Sequence, residues 1–578
     1  MTASLDSHVL LRALMDELAR CGLRHACTSP GSRSAPIVLA LAREARIRCW
    51  SHLDERVSGF FALGLARATE APVVVTCTSG TAAANLAPAI QEAHEAGVAL
   101  IVLTADRPPE LRAVGAGQAI DQIKLYGSAV KLFCEVGVDR VTPQTLRWIR
   151  GLACRAYWTA AQGAAGPVHL NFPLRDPLVP DGPLPDDVSG RPDGAPRVAR
   201  PHARPDPGPQ AVARLTEAVD ATPRGIVVCG RPDTPTSVAT VAAVVAFARR
   251  AGYPLLADPL GGARVTGAAV AHYDALLRDP AFAEEHRPHL VVRVGDLPTS
   301  KPLRAWLAAA GDVAQIALDP NDRRQDPDTV VTTALAMDAA RLAEVAAVLV
   351  RPPDERWVSA WMSADACAAA AIAAALGDEL SEPRVAAELG SQLAPPTTLF
   401  VASSMPVRDV ETFFATRPEA VGVLSNRGAN GIDGTIASAL GVAAAKDGPV
   451  VLLIGDVAFA YDATALISAR RLGVGLTIVL VDNDGGGIFH FLPIADQADI
   501  FEDQIATPHG LDFAALSAGL GATHQRARDP ASLRTAVAAS LETPGVQVIE
   551  VRTERTDNVA LHRDVSDAVA VALAAARG

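Results

Sequence analysis

The sequence predicts an α/β protein built from three doubly wound parallel-sheet domains. Short runs of aliphatic and β-branched residues recur along the chain, and stretches with helical periodicity separate them. This alternation is typical of βαβ units, which build a parallel sheet with helices on both faces. It occurs in three blocks of similar size, and a chain of 578 residues has enough material for three large cores.

Strand-like runs define each block in turn. They are residues 25–29, 47–51, 72–79, 99–105 and 167–172 in the first block, 225–230, 253–258, 289–296 and 313–319 in the second, and 397–404, 420–426, 448–456, 476–484 and 546–551 in the third. The stretch from Pro173 to Pro209 holds 11 prolines and little periodicity, which predicts an extended linker. We therefore expect domains at residues 1–180, 211–350 and 356–578, with a linker at 181–210.

Composition and charge exclude several classes of protein. There are 52 basic and 64 acidic residues, and the net charge of −12 argues against a broad nucleic-acid-binding face. The eight cysteines form no CxxC pair, which favours free thiols in a reducing cytoplasm over a zinc site or a disulfide framework. The amphipathic N-terminus lacks the features of a signal peptide, and no apolar stretch reaches the length of a membrane span. We expect a cytoplasmic protein without nucleic-acid or membrane partners.

Two polar side chains follow neighbouring strand-like runs of the third block. Asp456 comes directly after the run that ends at Gly455, and Asn483 follows the next run 27 residues later. Ligands of open parallel sheets bind beyond the carboxyl ends of the strands, so these side chains should converge. With a backbone carbonyl near Gly485 they would form a half-shell of hard oxygens that suits Mg²⁺ and phosphate. The glycines at 485–487 would let backbone amides approach a diphosphate.

Each of these segments alone also fits a plainer interpretation, a strand-to-helix turn with a capping carboxylate. The same holds for Glu55, which lies at the turn between a strand-like run and a helix. Downstream of it, Phe60 and Phe61 provide an apolar setting in which an acid can share its proton. The pairing of Asp456 with Asn483 favours the ligand-binding interpretation of both regions.

The Gly455-Asp456 pair followed by Asn483 resembles the motif that binds thiamine diphosphate and its metal ion. The third position of that motif is usually glycine and is Val457 here. The resemblance implies a pyrimidine-binding domain, a central Rossmann-like domain and a pyrophosphate-binding domain, with the cofactor between two chains. It implies at least a homodimer, or a dimer of dimers. It makes Glu55 the acid that hydrogen-bonds N1′ of the aminopyrimidine and so activates C2 of the cofactor.

Four arginines lie in the same two outer domains, close to the ends of strand-like runs. They are Arg33, Arg107, Arg408 and Arg427, and the polar residues Ser32, Gln118 and Ser404 accompany them. Each arginine alone is typical of a surface or structural charge. Together, in domains that also carry the cofactor residues, they indicate substrates with several negative charges.

Six segments carry a closer resemblance to one family. They are SPGSRSAP, HLDERVSGFFALG, CTSGTAAANLAPA, LTADRPPELR, NRGANGIDG and VDNDGGGIFHFLP. These segments resemble the 2-succinyl-5-enolpyruvyl-6-hydroxy-3-cyclohexene-1-carboxylate synthases of menaquinone biosynthesis. The resemblance implies a transferase that decarboxylates 2-oxoglutarate and adds the succinyl carbanion equivalent to isochorismate in a 1,4 addition. It covers both outer domains and is thin in the middle one.

The resemblance also implies a role for each matching residue. Glu55 would be catalytic, Ile432 would keep the two cofactor rings in a V shape, and Ile488 and Phe489 would form an apolar wall beside the thiazolium. The cofactor-binding set would be Glu55, Gly431, Ile432, Gly455, Asp456, Val457, Ala458, Asn483, Gly485, Gly486, Ile488 and Phe489. Mg²⁺, or Mn²⁺, would bind Asp456, Asn483 and Gly485. The substrate-binding set would be Ser32, Arg33, Arg107, Gln118, Lys301, Ser404, Arg408 and Arg427.

The middle domain matches this family least. Lys301 belongs to an incomplete basic pair, and no GxGxxG follows a strand, so we expect neither flavin nor nicotinamide there. A spacer and assembly surface is the plainer role for this domain. Two alternatives stay open for the whole chain. One is another thiamine-diphosphate-dependent 2-oxo-acid decarboxylase or carboligase, and the other is a non-catalytic regulatory subunit that binds the cofactor.

Overall fold

The computed structural model describes residues 3–137, 140–180, 182–187, 189–200, 208–232 and 238–577. Within these residues the chain forms three six-stranded sheets. Every pair of neighbouring strands in them is parallel. This confirms the fold class predicted from the sequence, α/β with three parallel-sheet domains.

The first sheet and its helices come from the N-terminal part of the chain. The strands are β1 (His25–Thr28), β2 (Arg48–Ser51), β3 (Val73–Cys77), β4 (Leu100–Asp106), β5 (Phe133–Glu135) and β6 (Val168–Pro173). The helices are α1 (Ala3–Cys21), α2 (Ala35–Ala42), α3 (Glu55–Thr69), α4 (Thr81–Asn85), α5 (Ala87–Ala96) and α6 (Pro143–Ala161). The strand order is β2-β1-β3-β4-β6-β5. The centre of the sheet, β3 and β4, is fully buried, as expected for strands covered on both faces.

The second sheet follows the proline-rich stretch. Its strands are β7 (Gly225–Cys229), β8 (Leu255–Ala257), β9 (Ala269–Val270), β10 (Leu290–Val294), β11 (Ala314–Leu318) and β12 (Thr333–Leu335). The helices are α7 (Gly208–Asp220), α8 (Val238–Ala251), α9 (Tyr273–Leu276), α10 (Pro280–Glu285), α11 (Lys301–Ala309) and α12 (Leu342–Val348). The strand order is β12-β11-β10-β7-β8-β9.

The third sheet repeats the plan of the first. Its strands are β13 (Thr398–Val401), β14 (Gly422–Leu424), β15 (Val450–Gly455), β16 (Leu476–Asp482), β17 (Thr523–Ala527) and β18 (Val546–Arg552). The helices are α13 (Glu355–Leu376), α14 (Glu382–Gln392), α15 (Met405–Phe413), α16 (Thr435–Ala443), α17 (Asp456–Asp462), α18 (Ala465–Leu472), α19 (Phe513–Leu520), α20 (Pro530–Leu541) and α21 (Arg555–Arg577). The strand order is β14-β13-β15-β16-β18-β17, so β15 and β16 are neighbours.

The proline-rich stretch predicted as a linker is attached to the first domain. Arg150 on α6 is buried, and its guanidinium contacts Asp187 at 2.6 Å and the Ser189 hydroxyl at 2.8 Å. The indole of Trp158 donates to the carbonyl of Val198 at 3.0 Å. Between residues 182 and 200 the described positions contain no helix or strand. Residues 181, 188 and 201–207 of the predicted linker lie outside the described residues.

Helices α3 and α16 join the first and third domains. A Cβ on Gly64 would lie 2.0 Å from the carbonyl oxygen of Ser438, and one on Gly441 would lie 2.2 Å from that of Phe61. The two backbones can approach this closely because neither glycine carries a side chain. One continuous apolar core runs through the interface, and both domains contribute buried side chains to it.

One helix in the described part of the chain, α13, is long and apolar enough to cross a membrane by length and composition alone. The prediction that no apolar stretch reaches the length of a membrane span is wrong by this criterion, because α13 begins at Glu355, well before its alanine-rich end. Trp357, Trp361 and Ile372 of α13 are buried in the core, and the helix packs along α21. A single helix of this kind is weak evidence for a membrane span.

Candidate active site

The carboxyl ends of β15 and β16 bring Asp456 and Asn483 together. Gly455 pairs in register with Val481, so the chain leaves both strands at the same edge of the sheet. Asp456 begins α17 and is buried, and its Oδ1 accepts a hydrogen bond from its neighbour's amide at 2.7 Å. Its Oδ2 accepts from the amides of Asn483 at 3.1 Å and Gly485 at 2.9 Å. The convergence predicted from the sequence is therefore present in the structure.

The side-chain amide of Asn483 has one end bonded and one end free. Its Nδ2 donates to Oε1 of Glu382 at 2.8 Å, and the hydroxyl of Thr553 donates to the same oxygen at 3.2 Å. The Oδ1 atom of Asn483 is buried and has no hydrogen-bond partner among the described residues. A buried polar atom without a partner is costly, so this oxygen indicates a ligand that completes the site.

The charges around Asp456 also fit a bound cation. Ligand atoms of Asp456, Asp482 and His509 lie within 4.8 Å of one another, with His509 Nε2 at 3.2 Å from Asp456 Oδ2. Burial, and then the negative charge of Asp456, raises the pKa of Asp482. A hard divalent cation would relieve this repulsion, and carboxylate and amide oxygens are the ligands that Mg²⁺ prefers. The donor set therefore fits the metal ion expected from the sequence.

The three glycines after β16 are required by the chain itself. Gly485 has φ +139°, and a Cβ on it would lie 2.4 Å from the carbonyl oxygen of Ala506. The amide of Gly486 donates to the same carbonyl at 2.7 Å, and a Cβ on Gly487 would crowd the Asn483 amide nitrogen at 2.6 Å. From the sequence, the approach of a diphosphate was the reason expected for these glycines. The structure supplies a second reason, the close packing of the loop that carries Ala506.

The apolar residues after the glycines form a short 3₁₀-helix, Gly487–Phe491. Within it Ile488 is half-buried, and Phe489 is 37 % exposed. Ile432 packs against the core that joins the first and third domains, and Gly431 precedes it. Val457 and Ala458 follow Asp456 in the first turn of α17.

Glu55 is the first residue of α3, as the sequence predicts. Asp54 caps this helix and accepts from the Arg56 amide at 2.8 Å, so the capping role belongs to Asp54. The Glu55 side chain is half-buried and has no hydrogen bond within the described part of the chain. Burial raises the pKa of the Cys77 thiol, and the negative charge of Glu55 raises it further. The Glu55 carboxylate therefore lies on the side of the sheet where β3 ends at Cys77.

Two predicted substrate arginines lie close together in the third domain. The guanidinium of Arg408 donates to the carbonyl of Ser404, a residue held at φ +73° before α15. Burial, and then the positive charge of Arg408, lowers the pKa of Arg427. Among the described residues, Arg427 has no hydrogen bond or ion pair. A half-buried guanidinium without a partner, in the electrostatic field of a second arginine, is suited to bind an anion.

The remaining predicted substrate residues are more dispersed. The Arg107 guanidinium donates to the carbonyl of Gly117 at 3.1 Å, beside Gln118. Arg33 is buried and already donates to the carbonyl of Leu174 at 2.8 Å, with Asp176 at 3.2 Å. Ser32 and Lys301 are exposed. In the described residues, no hydrogen bond or ion pair joins any of these side chains to Arg408 or Arg427.

A cavity of about 1620 Å³ lies between the three domains of one chain. Arg67, Arg231 and Ser425 are among its lining residues, whereas Glu55 and Asp456 are not. This cavity therefore does not contain the predicted cofactor residues: in a single chain Asp456 is buried and Glu55 is half-buried. The first and third domains also expose large apolar side chains, among them Leu53, Ile123, Tyr461, Phe489, Phe491 and Leu492.

Sequence reasoning missed two buried acids of this region. Glu382 orients the Asn483 amide, and burial, followed by the negative charge of Asp409, raises its pKa. Glu92 on α5 is buried and accepts from two backbone amides of the loop that follows Arg427. In the sequence Glu382 looks like an ordinary acid at the start of a helix. Glu92 was detectable, because it is an acid on the apolar face of its helix.

Comparisons with known proteins agree with this geometry. Residues 9–125 match the N-terminal TPP-binding domain of thiamine pyrophosphate enzymes, residues 211–401 the middle domain and residues 410–551 the C-terminal TPP-binding domain. A solved structure of thiamine diphosphate-dependent 4-hydroxybenzoylformate decarboxylase from Rhodococcus jostii superposes with a TM-score of 0.72. It covers 94 % of this chain and 99 % of its own, at 18 % identity, and so shows the fold.

Relatives at higher identity narrow the family. The 2-succinyl-5-enolpyruvyl-6-hydroxy-3-cyclohexene-1-carboxylate synthase of Chloroflexus aurantiacus is 42 % identical over 98 % of this chain and 96 % of its own. The synthases of the same name from Geobacillus kaustophilus (41 %, 96 % of each chain) and Halobacterium salinarum (40 %, 98 % of each chain) are similar over the same extent. The chain therefore belongs to the 2-succinyl-5-enolpyruvyl-6-hydroxy-3-cyclohexene-1-carboxylate synthase family of thiamine pyrophosphate enzymes, and thiamine diphosphate is its cofactor.

Proposed function

We propose that the chain decarboxylates 2-oxoglutarate and adds the succinyl group to isochorismate, a step of menaquinone biosynthesis. The relatives that carry the synthase name support this proposal, because their sequences are about 40 % identical to this one over nearly the whole chain. The observation that carries it is a half-buried guanidinium, Arg427, which has no hydrogen bond or ion pair among the described residues, in the domain that contains Arg408 and Asp456. Both proposed substrates are dicarboxylates, and such anions would satisfy these cations.

The metal site is part of the proposal. Asp456, the free Oδ1 of Asn483 and the carbonyl of Gly485 would hold Mg²⁺, or Mn²⁺, which would bind the cofactor's diphosphate. Gly455, Val457, Ala458 and Gly486 would line the same site. The support for this assignment is the orphaned amide oxygen and the fixed distance between the two strand ends.

When bound, thiamine diphosphate supplies a nucleophilic carbon and an electron sink for decarboxylation of a 2-oxo acid. Glu55 would share a proton with N1′ of the aminopyrimidine, and its place at the start of α3 supports that role. Ile432, with Gly431 before it, would contact the cofactor rings and hold their relative orientation. Ile488 and Phe489 would exclude water from the reacting carboxylate, which loses its charge more readily in a dry site.

We assign the remaining predicted residues to the substrates. Ser404, Arg408 and Arg427 would bind carboxylates from the third domain. Arg107 and Gln118 would do so from the first domain, where the Arg107 guanidinium lies against the turn that leads into Gln118. Ser32, Arg33 and Lys301 belong to the same proposed set. Arg33 would have to share its guanidinium with Leu174 and Asp176.

A homodimer would complete the site, with Glu55 and Asp456 of different chains facing each other. The apolar side chains that the first and third domains expose in one chain, such as Leu53 and Tyr461, support this proposal, because a second chain could cover them. A tetramer would be a dimer of such dimers. We further propose that residues 1–180, 211–350 and 356–578 are the pyrimidine, central and pyrophosphate domains. The eight free thiols fit a cytoplasmic location.

A steady-state assay tests the function. Release of CO₂ from 2-oxoglutarate is expected to be slow alone and to increase strongly when isochorismate is added, with formation of the succinyl adduct. Pyruvate serves as the less charged control substrate and should be a poor one. Equal CO₂ release without isochorismate would instead identify a simple 2-oxo-acid decarboxylase. No turnover with any 2-oxo acid would identify a non-catalytic subunit.

A further inference from the structure

A buried acid of the first domain holds a loop of the third. Glu92 lies on α5 and is 3 % exposed. Its Oε1 accepts from the amide of Gly428 at 2.8 Å, and its Oε2 accepts from the amide of Ala429 at 2.7 Å. Both carboxylate oxygens are therefore used on consecutive backbone amides, a charge-assisted arrangement that restrains the loop strongly.

A second charged residue holds the other side of the same loop. Arg67 on α3 donates to the carbonyl of Ser425, and its Nη2 lies 3.8 Å from Oε1 of Glu92. Within the loop, the side chain of Asn426 donates to the hydroxyl of Ser438 at 3.0 Å. The Ser403 hydroxyl donates to the Asn426 carbonyl at 3.3 Å, so the backbone is held directly before Arg427 as well as directly after it.

Arg427 itself has no such partner. Its side chain is half-buried, and no carboxylate or carbonyl among the described residues holds its guanidinium. The positive charges of Arg408 and Arg231 and the negative charges of Asp258 and Glu92 all act at this position. Because no hydrogen bond within the described residues holds the guanidinium, the backbone that carries it is what sets its position.

We propose that Glu92, supported by Arg67, is a positioning residue for substrate binding. Glu92 fixes the backbone around Arg427. The guanidinium then stays near Arg408, where a substrate carboxylate can bind it, and does not rotate away. This inference rests on the substrate-binding role proposed for Arg427. Only a carboxylate can do this, because glutamine offers one acceptor oxygen and would turn its own NH₂ group toward the second backbone N–H.

The test is Glu92→Gln in the enzyme loaded with thiamine diphosphate and Mg²⁺. We expect the KM for at least one of the two substrates to increase by about ten-fold or more, while kcat stays within about three-fold and cofactor affinity is unchanged. A purely structural role would lower the thermal midpoint and the active fraction, and so kcat, without changing the KM for either substrate. Glu95→Gln, on the exposed face of the same helix, is the matched control and should behave as the wild type.

A double variant separates positioning from general damage. Arg427→Ala combined with Glu92→Gln is expected to be no worse than Arg427→Ala alone, because the positioned group is already missing. If Glu92→Gln does not fold, Glu92→Asp replaces it, and the same increase in KM is expected. Aspartate keeps the negative charge beside Arg67, but its side chain is too short to bond both backbone amides. Failure of both variants to fold, or unchanged KM values, would overturn the inference. Absence of turnover in the wild type would overturn the proposed function instead.

Discussion

Asn483 shows how one hydrogen bond can define a ligand atom. Because Glu382 accepts from its amide nitrogen, the amide oxygen is left buried and without a partner beside Asp456. Glu382 lies on α14, far from Asn483 in the sequence, and reaches the edge of the sheet from the helix layer. The buried acid therefore sets which end of the amide a metal ion would meet.

Replacing Glu55 with glutamine tests the acid of the first domain. We expect Glu55→Gln to slow hydrogen–deuterium exchange at C2 of bound thiamine diphosphate by about 100-fold or more, because glutamine cannot share a proton with N1′. Cofactor affinity should change little. Glu70→Gln, an exposed acid at the other end of α3, is the control and should exchange as the wild type. A normal exchange rate in Glu55→Gln would remove this residue from the chemistry.

Asp462 should make stability depend on pH. It is buried and accepts from the Ala437 amide at the start of α16, and burial raises its pKa to about 7. The folded chain keeps this proton up to about pH 7, whereas the unfolded chain releases it near its ordinary pKa of about 3.9. The stabilisation is therefore complete at low pH and is lost as pH rises through the folded pKa.

Urea unfolding of Asp462→Asn between pH 5 and 7 checks this expectation. The wild type should lose stability relative to the variant by up to about 1.4 kcal/mol per pH unit in this window, since only the wild type titrates there. Asp447→Asn, at an exposed aspartate, should follow the wild type. Parallel curves for wild type and Asp462→Asn would show that Asp462 is ionised in the folded chain.

At the residue scale, the side chains that could be predicted are those that directly follow the end of a strand. Asp456 and Asn483 could be predicted because each directly follows a buried run and because parallel strands end at one edge. Glu92 and Glu382 act on segments more than 100 residues away in the sequence. Spacing carries no information about such contacts, so the structure was needed to find them.

Helices α3 and α16 connect the first and third domains of one chain, which both contribute residues to the proposed sites. Glu55 begins α3, and the loop that contains Ile432 leads into α16. The helices approach so closely at Gly64 and Gly441 that backbone atoms occupy the space of a side chain. The position of Glu55 relative to the third domain is therefore fixed by backbone contact, which is stiffer than contact between side chains.

Two glycine-to-alanine substitutions in helices should have opposite effects. Gly64→Ala should destabilise the chain by about 1–3 kcal/mol, because the new methyl group would lie 2.0 Å from the Ser438 carbonyl oxygen. Gly151→Ala in α6 meets nothing within 4 Å and should stabilise by about 0.5–1 kcal/mol through its helix propensity. Urea midpoints measure both. Destabilisation of similar size in both variants would mean that the close approach of α3 and α16 is not limiting.

At the element scale, the missed strands share a cause. All 14 strand-like runs predicted from the sequence are strands in the structure, and the four unpredicted ones are β5, β9, β12 and β17. Each of these lies at the edge of its sheet. β5, β12 and β17 are partly exposed and β9 has only two residues, so none of them has the continuous apolar run that identifies a central strand. β17, with the sequence THQRA, is the clearest case.

The whole molecule divides the proposed chemistry between distant parts of the chain. The first domain supplies Glu55, and the third supplies Asp456 and Asn483, more than 400 residues later. In a single chain the same two domains expose apolar side chains such as Leu53 and Phe489. In the homodimer proposed above, a second copy of the chain would cover such side chains and bring the two halves of the site together. The number of chains in the assembly could not be predicted from spacing, because identical sequences permit contacts within or between chains.

A hybrid dimer tests this central claim most directly. One chain carries Glu55→Gln and the other Asp456→Ala, with different affinity tags, and the hybrid is purified on both tags and assayed with 2-oxoglutarate and isochorismate. If Glu55 and Asp456 of different chains form each site, the hybrid contains one intact site, and we expect about half of the wild-type activity. Both parent homodimers should be nearly inactive. A hybrid no more active than its parents, in a preparation where the wild type turns over, would contradict the account.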